Sequence, residues 1–269
     1  MIRRLYQTLK AYLPCYRSRY RTSQRLVSTE ELYANSSHDE HVGAYTVYRQ
    51  RMDTEYFVNY LPERQLLQDR IIQKYLKPHQ PLHQPSRLIF TCGPFGAGKS
   101  HSLQVLAKQG YLNLDEFIYI DPDRFKYELP EAREYIRLEP ERAGSLLHME
   151  STYISLLLQY IILDTGHSMI VDGSLRDVAW NTNYMNWIRQ HYPQYQLSLI
   201  KVEATLDKVM SRCQKRGQET GRVIPPELIV STCSDIDRAF PHYRNLIPSY
   251  MIIDNNNHPV ITENHITRF

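Results

Sequence analysis

Apolar and polar residues follow two different patterns along residues 86–269, one typical of strands and one typical of helices. Short runs of β-branched and aromatic residues predict strands at 88–91, 117–120, 169–172, 197–203 and 250–253. Stretches with apolar residues three or four positions apart predict helices at 100–109, 124–136, 141–165, 178–191, 205–216 and 226–239. Strands joined by helical crossovers are typical of a parallel sheet. We therefore predict an α/β fold of the P-loop kinase type, with a five-stranded parallel sheet covered by helices on both faces.

The pattern before residue 86 is helical. Residues 45–60 and 63–75 carry apolar side chains at helical spacing, whereas residues 77–85 contain three prolines. Prolines at this density are compatible neither with a helix nor with a central strand. We therefore predict two regions. They are an N-terminal helical extension with a proline-rich linker over residues 1–85, and a catalytic domain over residues 86–269.

Basic residues are concentrated at the N-terminus. Residues 1–29 contain seven arginines and lysines and no acidic residue, and several of their apolar positions share one helical face. A transit peptide for an organelle and a helix lying on a membrane surface both have this character. A basic amphipathic arm folded onto the protein core has it too, and this is the interpretation that we favour.

Composition argues against several classes of protein. No uninterrupted apolar run approaches about 18 residues, so we expect no membrane span. The four cysteines are scattered and form no CxxC pair, which is typical of reduced thiols in a cytoplasmic protein. A net charge of +3 is too small to indicate nucleic-acid binding by itself.

Residues 93–100 form the most informative motif of the chain. They read Gly-Pro-Phe-Gly-Ala-Gly-Lys-Ser, which matches the phosphate-binding pattern GxxxxGK[ST] between a predicted strand and a predicted helix. The glycines allow backbone N–H groups to surround a phosphate chain, Lys99 reaches the β- and γ-phosphates, and the Ser100 hydroxyl binds Mg²⁺. We therefore predict a site for ATP and Mg²⁺. Its predicted cofactor-binding residues are Gly93, Pro94, Phe95, Gly96, Ala97, Gly98, Lys99, Ser100 and His101.

Acidic residues follow the second and third predicted strands. Because ligands bind beyond the carboxyl ends of parallel strands, we expect Asp121, Asp123 and Asp172 beside the phosphate loop. Asp123 is the candidate base that accepts the proton of an attacking hydroxyl, and Asp121 caps the next helix or orients the substrate. Asp172 ends an apolar strand, as does the aspartate that holds Mg²⁺ in Walker B motifs. Ser174 and Arg176 lie just beyond it and are predicted to meet the substrate.

A basic segment follows the fourth predicted strand. It contains Arg212, Lys215 and Arg216 on a helix, and Arg222 in a glycine-containing loop. Guanidinium groups in this position are typical of a lid that closes over the triphosphate and neutralises charge on the transferred phosphoryl group. We predict this catalytic role for Arg212, Arg216 and Arg222. For Lys215 we predict a solvated helix face.

Several segments together resemble the zeta-toxin family of P-loop kinases. They are the phosphate loop, IDPDRFK at 120–126, IVDGS at 170–174 and GRVIP at 221–225. The resemblance covers residues 86–256. It implies that Lys99 and Ser100 bind phosphate and Mg²⁺ and that Asp123 is the base. It also implies that Arg222 and either Arg212 or Arg216 are lid arginines.

The resemblance also bears on the substrate. Toxin members of the family phosphorylate the 3′-hydroxyl of UDP-N-acetylglucosamine and similar nucleotide sugars. Asp172 stands where the toxins have Glu, and Ser174 where they have Thr. The segment at 147–153 resembles the broader, non-toxin branch of the family. It implies an acceptor pocket lined by His148, Glu150 and Ser151.

The sequence favours an ATP-dependent kinase that phosphorylates a hydroxyl of a small molecule, with a nucleotide sugar as one candidate acceptor. The alternative is a nucleotide switch or ATPase whose helical N-terminal region engages a protein partner. A switch GTPase is disfavoured because the chain contains no NKxD motif. A kinase of RNA ends would need a continuous basic groove. The basic arm and the lid lie at opposite ends of the chain, so we do not expect nucleic acid as a partner.

Overall fold

The computed structural model describes residues 26–35, 40–76 and 85–266, so the predictions for the basic arm and for most of the proline-rich linker lie outside the described residues. The helices are α1 (Thr29–Tyr33), α2 (Thr46–Arg49), α3 (Pro62–Tyr75), α4 (Lys99–Lys108), α5 (Pro122–Glu128), α6 (Ala132–Leu138), α7 (Ala143–Leu146), α8 (His148–Thr165), α9 (Val178–His191), α10 (Leu206–Thr220) and α11 (Pro226–Leu246). The strands are β1 (Ser86–Cys92), β2 (Ile118–Ile120), β3 (Met169–Val171), β4 (Tyr195–Glu203), β5 (Tyr250–Asp254) and β6 (Val260–Asn264).

The strands form one sheet in the order β2-β3-β1-β4-β5-β6. Neighbouring strands are parallel except for β5 and β6, which are antiparallel. The predicted strands are confirmed, and they make up the parallel part of the sheet. The sequence does not predict β6, because this edge strand is mostly exposed and lacks the buried apolar pattern of the others. After β1 the chain forms β2 and β3 on one side of it, and then β4 and β5 on the other side. This reversal of direction opens a crevice at the carboxyl end of β1.

The side chains of successive β1 residues lie alternately in two separate apolar cores. Leu88 and Phe90 lie in the larger core, together with most of α8, whereas Ile89 lies in the smaller core with Leu103 and Leu106 of α4. Because successive side chains of a strand point to opposite faces, these cores lie on opposite sides of the sheet. The predicted helical cover on both faces is therefore confirmed.

Two long predicted helices are each divided into two. The stretch at 124–136 forms α5 and α6, and Pro130 lies between them. Proline has no backbone N–H to donate and its ring clashes with the preceding turn, so the helix ends before it. The stretch at 141–165 forms α7 and α8, which meet at Leu147. The spacing of apolar residues identified the buried faces of these helices, but not the positions at which one helix ends and the next begins.

Residues 45–60 differ from the prediction of one continuous helix. Within them only Thr46–Arg49 is α-helical, and turns follow. Met52, Phe57 and Tyr60 are nevertheless buried. Their apolar spacing therefore reflects packing from a turn-rich segment and not from a helix face.

The described N-terminal residues pack against α8, the central helix of the larger core. The rings of Phe57 and Tyr60 contact the Tyr153 ring edge-on, with centroids 5.5 and 5.0 Å away. In α8, 12 of the 18 residues are buried, as expected of a helix enclosed by other elements. The N-terminal segment and the α/β part thus share one apolar core. The division of the chain at residue 85 stays a prediction.

Two expectations from composition concern membranes and thiols. In the part of the chain that the structure describes, no helix has both the length and the apolar character needed to cross a bilayer. Cys92, Cys213 and Cys233 are free thiols, whereas Cys15 lies outside the described residues.

Arg49 provides a test of how this N-terminal segment is held. Its fully buried side chain donates to Asp69 Oδ1 at 2.7 Å and to the Gln65 carbonyl oxygen at 2.8 Å. Arg49→Met leaves the Asp69 carboxylate buried without its cation. We therefore expect the free energy of unfolding to fall by about 3–5 kcal/mol, measured by urea denaturation followed by circular dichroism.

Arg51→Met is the matched control for Arg49→Met. Arg51 binds Asp164 at 2.7 Å, but both side chains are partly exposed, and its guanidinium also lies over the Tyr160 ring. Exposed ion pairs and cation–π contacts of this kind are worth about 1–2 kcal/mol together. Equal losses of stability in the two variants would contradict the distinction between a buried and an exposed ion pair.

Candidate active site

The phosphate loop joins β1 to α4 and requires glycine at two positions. Gly96 and Gly98 have φ angles of 75° and 89°, in the left-handed region that favours glycine. A Cβ atom at Gly96 would lie 2.7 Å from the Val209 carbonyl oxygen, and one at Gly98 would collide with the Asn255 amide. The loop therefore follows the tight path that phosphate binding requires.

Lys99 lies between the phosphate loop and the end of β3. Its Nζ donates to the carbonyl oxygens of Gly93 at 3.1 Å and Pro94 at 3.4 Å, and it lies 3.6 Å from Asp172 Oδ1. The ammonium group is thus placed where the terminal phosphates of a nucleotide bind in loops of this sequence.

Two hydroxyl groups fix the Asp172 carboxylate. Thr91 Oγ1 donates to Oδ1 at 2.8 Å, and the Tyr119 hydroxyl donates to Oδ2. Burial and the adjacent carboxylate hold the pKa of Tyr119 far above its usual range, so this hydroxyl stays a donor. Thr91 and Tyr119 carry no recognisable signal in the sequence, because each is an ordinary strand residue.

The residues present fit a magnesium ion. Ser100, Asp121 and Asp172 line the same cavity and offer hydroxyl and carboxylate oxygens, the ligands that Mg²⁺ prefers. Among the described residues, no cluster of three or more acidic, histidine or cysteine side chains forms a metal site of its own. In nucleotide sites Mg²⁺ is typically held by one or two protein oxygens together with phosphates and water. Ser100 and Asp172 are the residues that would hold it here.

The carboxylates after β2 have opposite surroundings. Asp121 is the N-cap of α5, and its Oδ1 accepts a hydrogen bond from the Asp123 N–H at 2.9 Å. Burial, Asp172 and Asp123 together raise the pKa of Asp121 to about 6. Asp123 instead lies 2.9 Å from Lys126 Nζ and accepts hydrogen bonds from Arg222 Nη2 at 3.1 and 3.3 Å. Burial opposes its ionisation, but these two cations hold the pKa of Asp123 well below its usual range.

The arginines of the predicted lid differ in what they bind. Arg222 is buried and pairs with Asp123. Arg212 donates to carbonyl oxygens of the phosphate loop, at 3.4 Å from Gly96 and 3.3 Å from Ala97, and to the Asn255 carbonyl oxygen at 2.8 Å. The Asn255 amide also donates to the Ala97 carbonyl oxygen at 2.7 Å. Arg212 and Asn255 therefore hold the backbone of the phosphate loop in place, a contact that the sequence does not indicate for Asn255.

Lys215 and Arg216 face in different directions on α10. The Lys215 side chain is 78% exposed and reaches only Glu219, 4.0 Å away, as predicted for a solvated position. Arg216 lines the same cavity as the phosphate loop.

One cavity of about 850 Å³ connects these groups. It is bordered by the phosphate loop, by the residues after β2 and β3, and by the loop that carries Arg222, and it continues between α8 and α9. The residues predicted from the sequence that line it are Gly93, Phe95, Gly96, Gly98, Lys99, Ser100, Asp121, Asp123, His148, Asp172, Ser174, Arg176, Arg212, Arg216 and Arg222.

The part of the cavity between α8 and α9 is polar and aromatic. The Trp180 and Tyr184 rings are stacked with centroids 5.2 Å apart, and the Tyr184 hydroxyl donates to Gln159 Oε1 at 3.0 Å. Ser155 and Asn181 complete this wall. Polar residues at 148, 152, 155 and 159 form a stripe at helical spacing in the otherwise apolar α8, a sequence signal that locates this wall.

The prediction that Glu150 and Ser151 line the pocket is wrong. The Glu150 carboxylate is fully buried against Arg64, and Ser151 Oγ donates to the His148 carbonyl oxygen at 2.8 Å. About 100° of rotation per helical residue places Glu150 on the side of α8 opposite His148, and Ser151 beside the face that carries His148 and Thr152. Among the predicted cofactor-binding residues, Pro94, Ala97 and His101 also lie outside the cavity lining.

His148 lies at the start of α8, in the wall near Asp123. Desolvation there, with Lys126 and Arg176 nearby, lowers the pKa of His148 to about 4. Its imidazole is therefore neutral near pH 7. A neutral ring can both donate a hydrogen bond to an acceptor molecule and accept one from it.

The family and fold of the chain emerge from comparison with known proteins. The Zeta toxin family model matches residues 69–266. A structure from the PezAT chromosomal toxin–antitoxin system of Streptococcus pneumoniae is similar with a TM-score of 0.59 and 15% identity, over 78% of this chain and 83% of that chain. The AvrRxo1-ORF1:-ORF2 structure with ATP is similar with a TM-score of 0.63 and 16% identity, over 90% and 77%. A comparison with curated proteins found no match.

At these identities the two solved structures establish the fold alone. The family match covers well over half of the chain, and it includes the phosphate loop, the carboxylates after β2 and β3, and the Arg222 loop. This chain belongs to the Zeta toxin family of P-loop kinases.

Proposed function

We propose that this protein is an ATP-dependent phosphotransferase that transfers the γ-phosphoryl group of ATP to a hydroxyl group of a small molecule. The observation that carries the proposal is that Asp123 and the phosphate loop line the same cavity. That cavity also continues between α8 and α9, which provides room for an acceptor beside the triphosphate. A nucleotide switch needs the loop but has no use for this carboxylate and pocket.

The reaction assigns a separate task to each group. The acceptor oxygen attacks the γ-phosphorus, the bond to the β,γ-bridging oxygen breaks, and ADP leaves. Asp123 orients the acceptor hydroxyl and takes its proton, and Lys99 holds the terminal phosphates. Mg²⁺, when bound, neutralises charge on the β- and γ-phosphates. Arg222 and Arg216 stabilise the charge that develops on the transferred group.

Arg222 has two competing partners. In the structure it pairs with Asp123, and this contact occupies the carboxylate that the acceptor needs. A bound triphosphate carries more charge than one carboxylate and offers bidentate oxygens, so it is the stronger partner for a guanidinium. We infer that ATP draws Arg222 away from Asp123. The move frees the carboxylate for the acceptor and removes one of the cations that depress its pKa.

The lining between α8 and α9 bears on the class of acceptor. Stacked Trp180 and Tyr184 offer an aromatic face, and Gln159 and Asn181 offer amides, a combination suited to a sugar or a heterocycle. UDP-N-acetylglucosamine is a candidate acceptor because toxin members of the family phosphorylate it. Asp172 is one methylene shorter than the glutamate of the toxins, so polyols and nucleosides belong in the same test.

The direct experiment incubates the purified protein with Mg²⁺, γ-labelled ATP and a panel of nucleotide sugars, nucleosides and polyols, with mass detection of products. We expect one class to gain a phosphoryl group, and Lys99→Ala protein to produce none. ATP consumption without any phosphorylated product would instead support the ATPase alternative.

The names of both similar structures, PezAT and AvrRxo1-ORF1:-ORF2, describe a pair of components. We therefore propose that this chain also has a protein partner.

The Lys99→Ala variant tests the role of the phosphate loop in nucleotide binding. Lys99→Ala removes the charge that holds the terminal phosphates, so we expect phosphoryl transfer to be lost while the protein stays folded. Lys215→Ala, at an exposed position of α10, is the matched loss of a lysine and should leave the rate unchanged. Unaltered transfer by folded Lys99→Ala protein would refute the role of the loop.

Variants of Asp123 and Asp121 test which of the two carboxylates is the base. Asp123→Asn should lower kcat by about 10²–10⁴, the range for loss of general-base catalysis, and leave the Kd for MgATP within a few-fold of wild type. Asp121→Asn removes a carboxylate from the same turn but keeps an amide oxygen that can cap α5. It should therefore reduce kcat much less. The reverse order of the two variants would show that their roles are exchanged.

A double-mutant cycle tests the competition for Arg222. Asp123→Asn weakens the hold on Arg222, so it should tighten MgATP binding a few-fold, measured by calorimetry. In an Arg222→Met background the same change should have no effect, because no guanidinium remains to be released. Equal tightening in both backgrounds would mean that only general repulsion of the triphosphate by Asp123 has been relieved.

The transition-state role of Arg222 is a separate expectation. Arg222→Ala should lower kcat more than it raises the KM for ATP, because the charge it stabilises develops mainly during transfer. Arg222→Lys should restore activity only in part, since an ammonium group cannot make a bidentate contact. Steady-state kinetics with ATP varied measures both. A normal kcat in the alanine variant would place Arg222 outside the reaction.

A further inference from the structure

Arg64 of α3 bridges two buried carboxylates, Glu131 in the turn before α6 and Glu150 in α8. Its Nε and Nη2 donate to the two oxygens of Glu150 at 2.7 and 2.8 Å, and its Nη1 and Nη2 donate to the two oxygens of Glu131 at 3.0 and 2.9 Å. The Arg64 side chain is 2% exposed, and both carboxylates are fully buried. One planar guanidinium thus makes a bidentate contact with each of two acids, a geometry that lysine cannot reproduce.

Two further partners of these acids come from the same N-terminal segment. Gln68 Nε2 donates to Glu150 Oε1 at 2.9 Å, and the Tyr33 hydroxyl donates to Glu131 Oε1 at 2.6 Å. Tyr33 also packs its ring 4.0 Å from the Arg64 guanidinium. Tyr33, Arg64 and Gln68 all precede residue 69, where the family match begins, whereas both acids lie within it. The family-matched part of the chain therefore contains two buried acids that are paired with Arg64, a residue from outside it.

The bridge lies directly behind the acceptor side of the cavity. Glu131 immediately precedes α6 and follows α5, the helix whose first turn carries Asp123. Glu150 lies in the first turn of α8, two residues from His148 and two from Thr152, which both line the cavity. The spacing between these helices sets the distance from Asp123 to the opposite wall.

We propose that Arg64 is a positioning residue that holds the start of α8 at a fixed distance from the α5–α6 junction, and so places an acceptor against Asp123. The part of this statement that concerns an acceptor rests on the proposed function. It follows that residues 26–68 complete the acceptor side of the site and are not a detachable module.

The test compares Arg64→Lys with Arg51→Lys in the full chain. Arg51 joins the same N-terminal segment to α8, but at Asp164, about 21 Å along the helix from Glu150. Each variant is measured by thermal unfolding, by calorimetry with MgATP, and by NMR titration of ¹³C-labelled histidines. His148 reports on the start of α8 because it lies two residues from Glu150 in the first turn, and because desolvation and the nearby Lys126 of α5 both lower its pKa.

The expected results separate positioning from stability. Both variants should bind MgATP within about two-fold of wild type. Arg64→Lys should raise the pKa of His148 from about 4 by about one unit, because the start of α8 then lies farther from the Lys126 ammonium group of α5, and Arg51→Lys should not change it. With an acceptor found by the panel, Arg64→Lys should reduce kcat/KM for that acceptor about 10-fold or more, with little change in the KM for ATP.

A neutral variant keeps the proposal testable if Arg64→Lys does not fold. Arg64→Met, Glu131→Gln and Glu150→Gln together remove every charge of the bridge, so no buried charge is left unpaired. Positioning predicts that this protein regains its thermal midpoint but keeps the altered His148 titration. A wild-type His148 titration in the folded variants would overturn the proposal. If wild-type protein phosphorylates no acceptor, the proposed function fails, and the His148 and MgATP measurements still decide the role of Arg64.

Discussion

The contact between Asp123, Lys126 and Arg222 is the interaction on which the rest of the site depends. A largely buried carboxylate is stable there only because two cations lie within hydrogen-bonding distance. Each cation comes from a different part of the fold: Lys126 from the same helix, and Arg222 from the loop after α10. The ion cluster therefore joins the sheet edge that carries the candidate base to the loop that carries Arg222. Breaking that link by nucleotide binding is what couples the two substrates in our account.

The braces around the phosphate loop serve a different purpose. Arg212 and Asn255 bind carbonyl oxygens of the loop and so hold its backbone in place. Arg212 thus binds neutral carbonyl oxygens, whereas Arg222 binds a carboxylate that, in our proposal, a triphosphate replaces.

The sequence predicts those parts of the site that depend on neighbours in the chain. The phosphate loop and the acids at the ends of β2 and β3 follow from strand ends and motif spacing, and the parallel strands follow from apolar runs. Contacts between distant residues were not predictable. Arg64 lies 86 residues from Glu150, and Tyr119 lies 53 residues from Asp172. The pairing of Glu150 with Arg64 was unpredictable for this reason, although the polar stripe at 148, 152, 155 and 159 already leaves Glu150 outside the cavity wall.

The central claim is that Arg222 exchanges a carboxylate for a triphosphate. A crystal structure with Mg²⁺ and a non-hydrolysable ATP analogue tests it most directly. Our account predicts that the Arg222 guanidinium contacts the terminal phosphates and lies beyond hydrogen-bonding distance of Asp123, whose carboxylate then faces the space between α8 and α9. A structure with the analogue bound at the phosphate loop and Arg222 still 3.1 Å from Asp123 would contradict it.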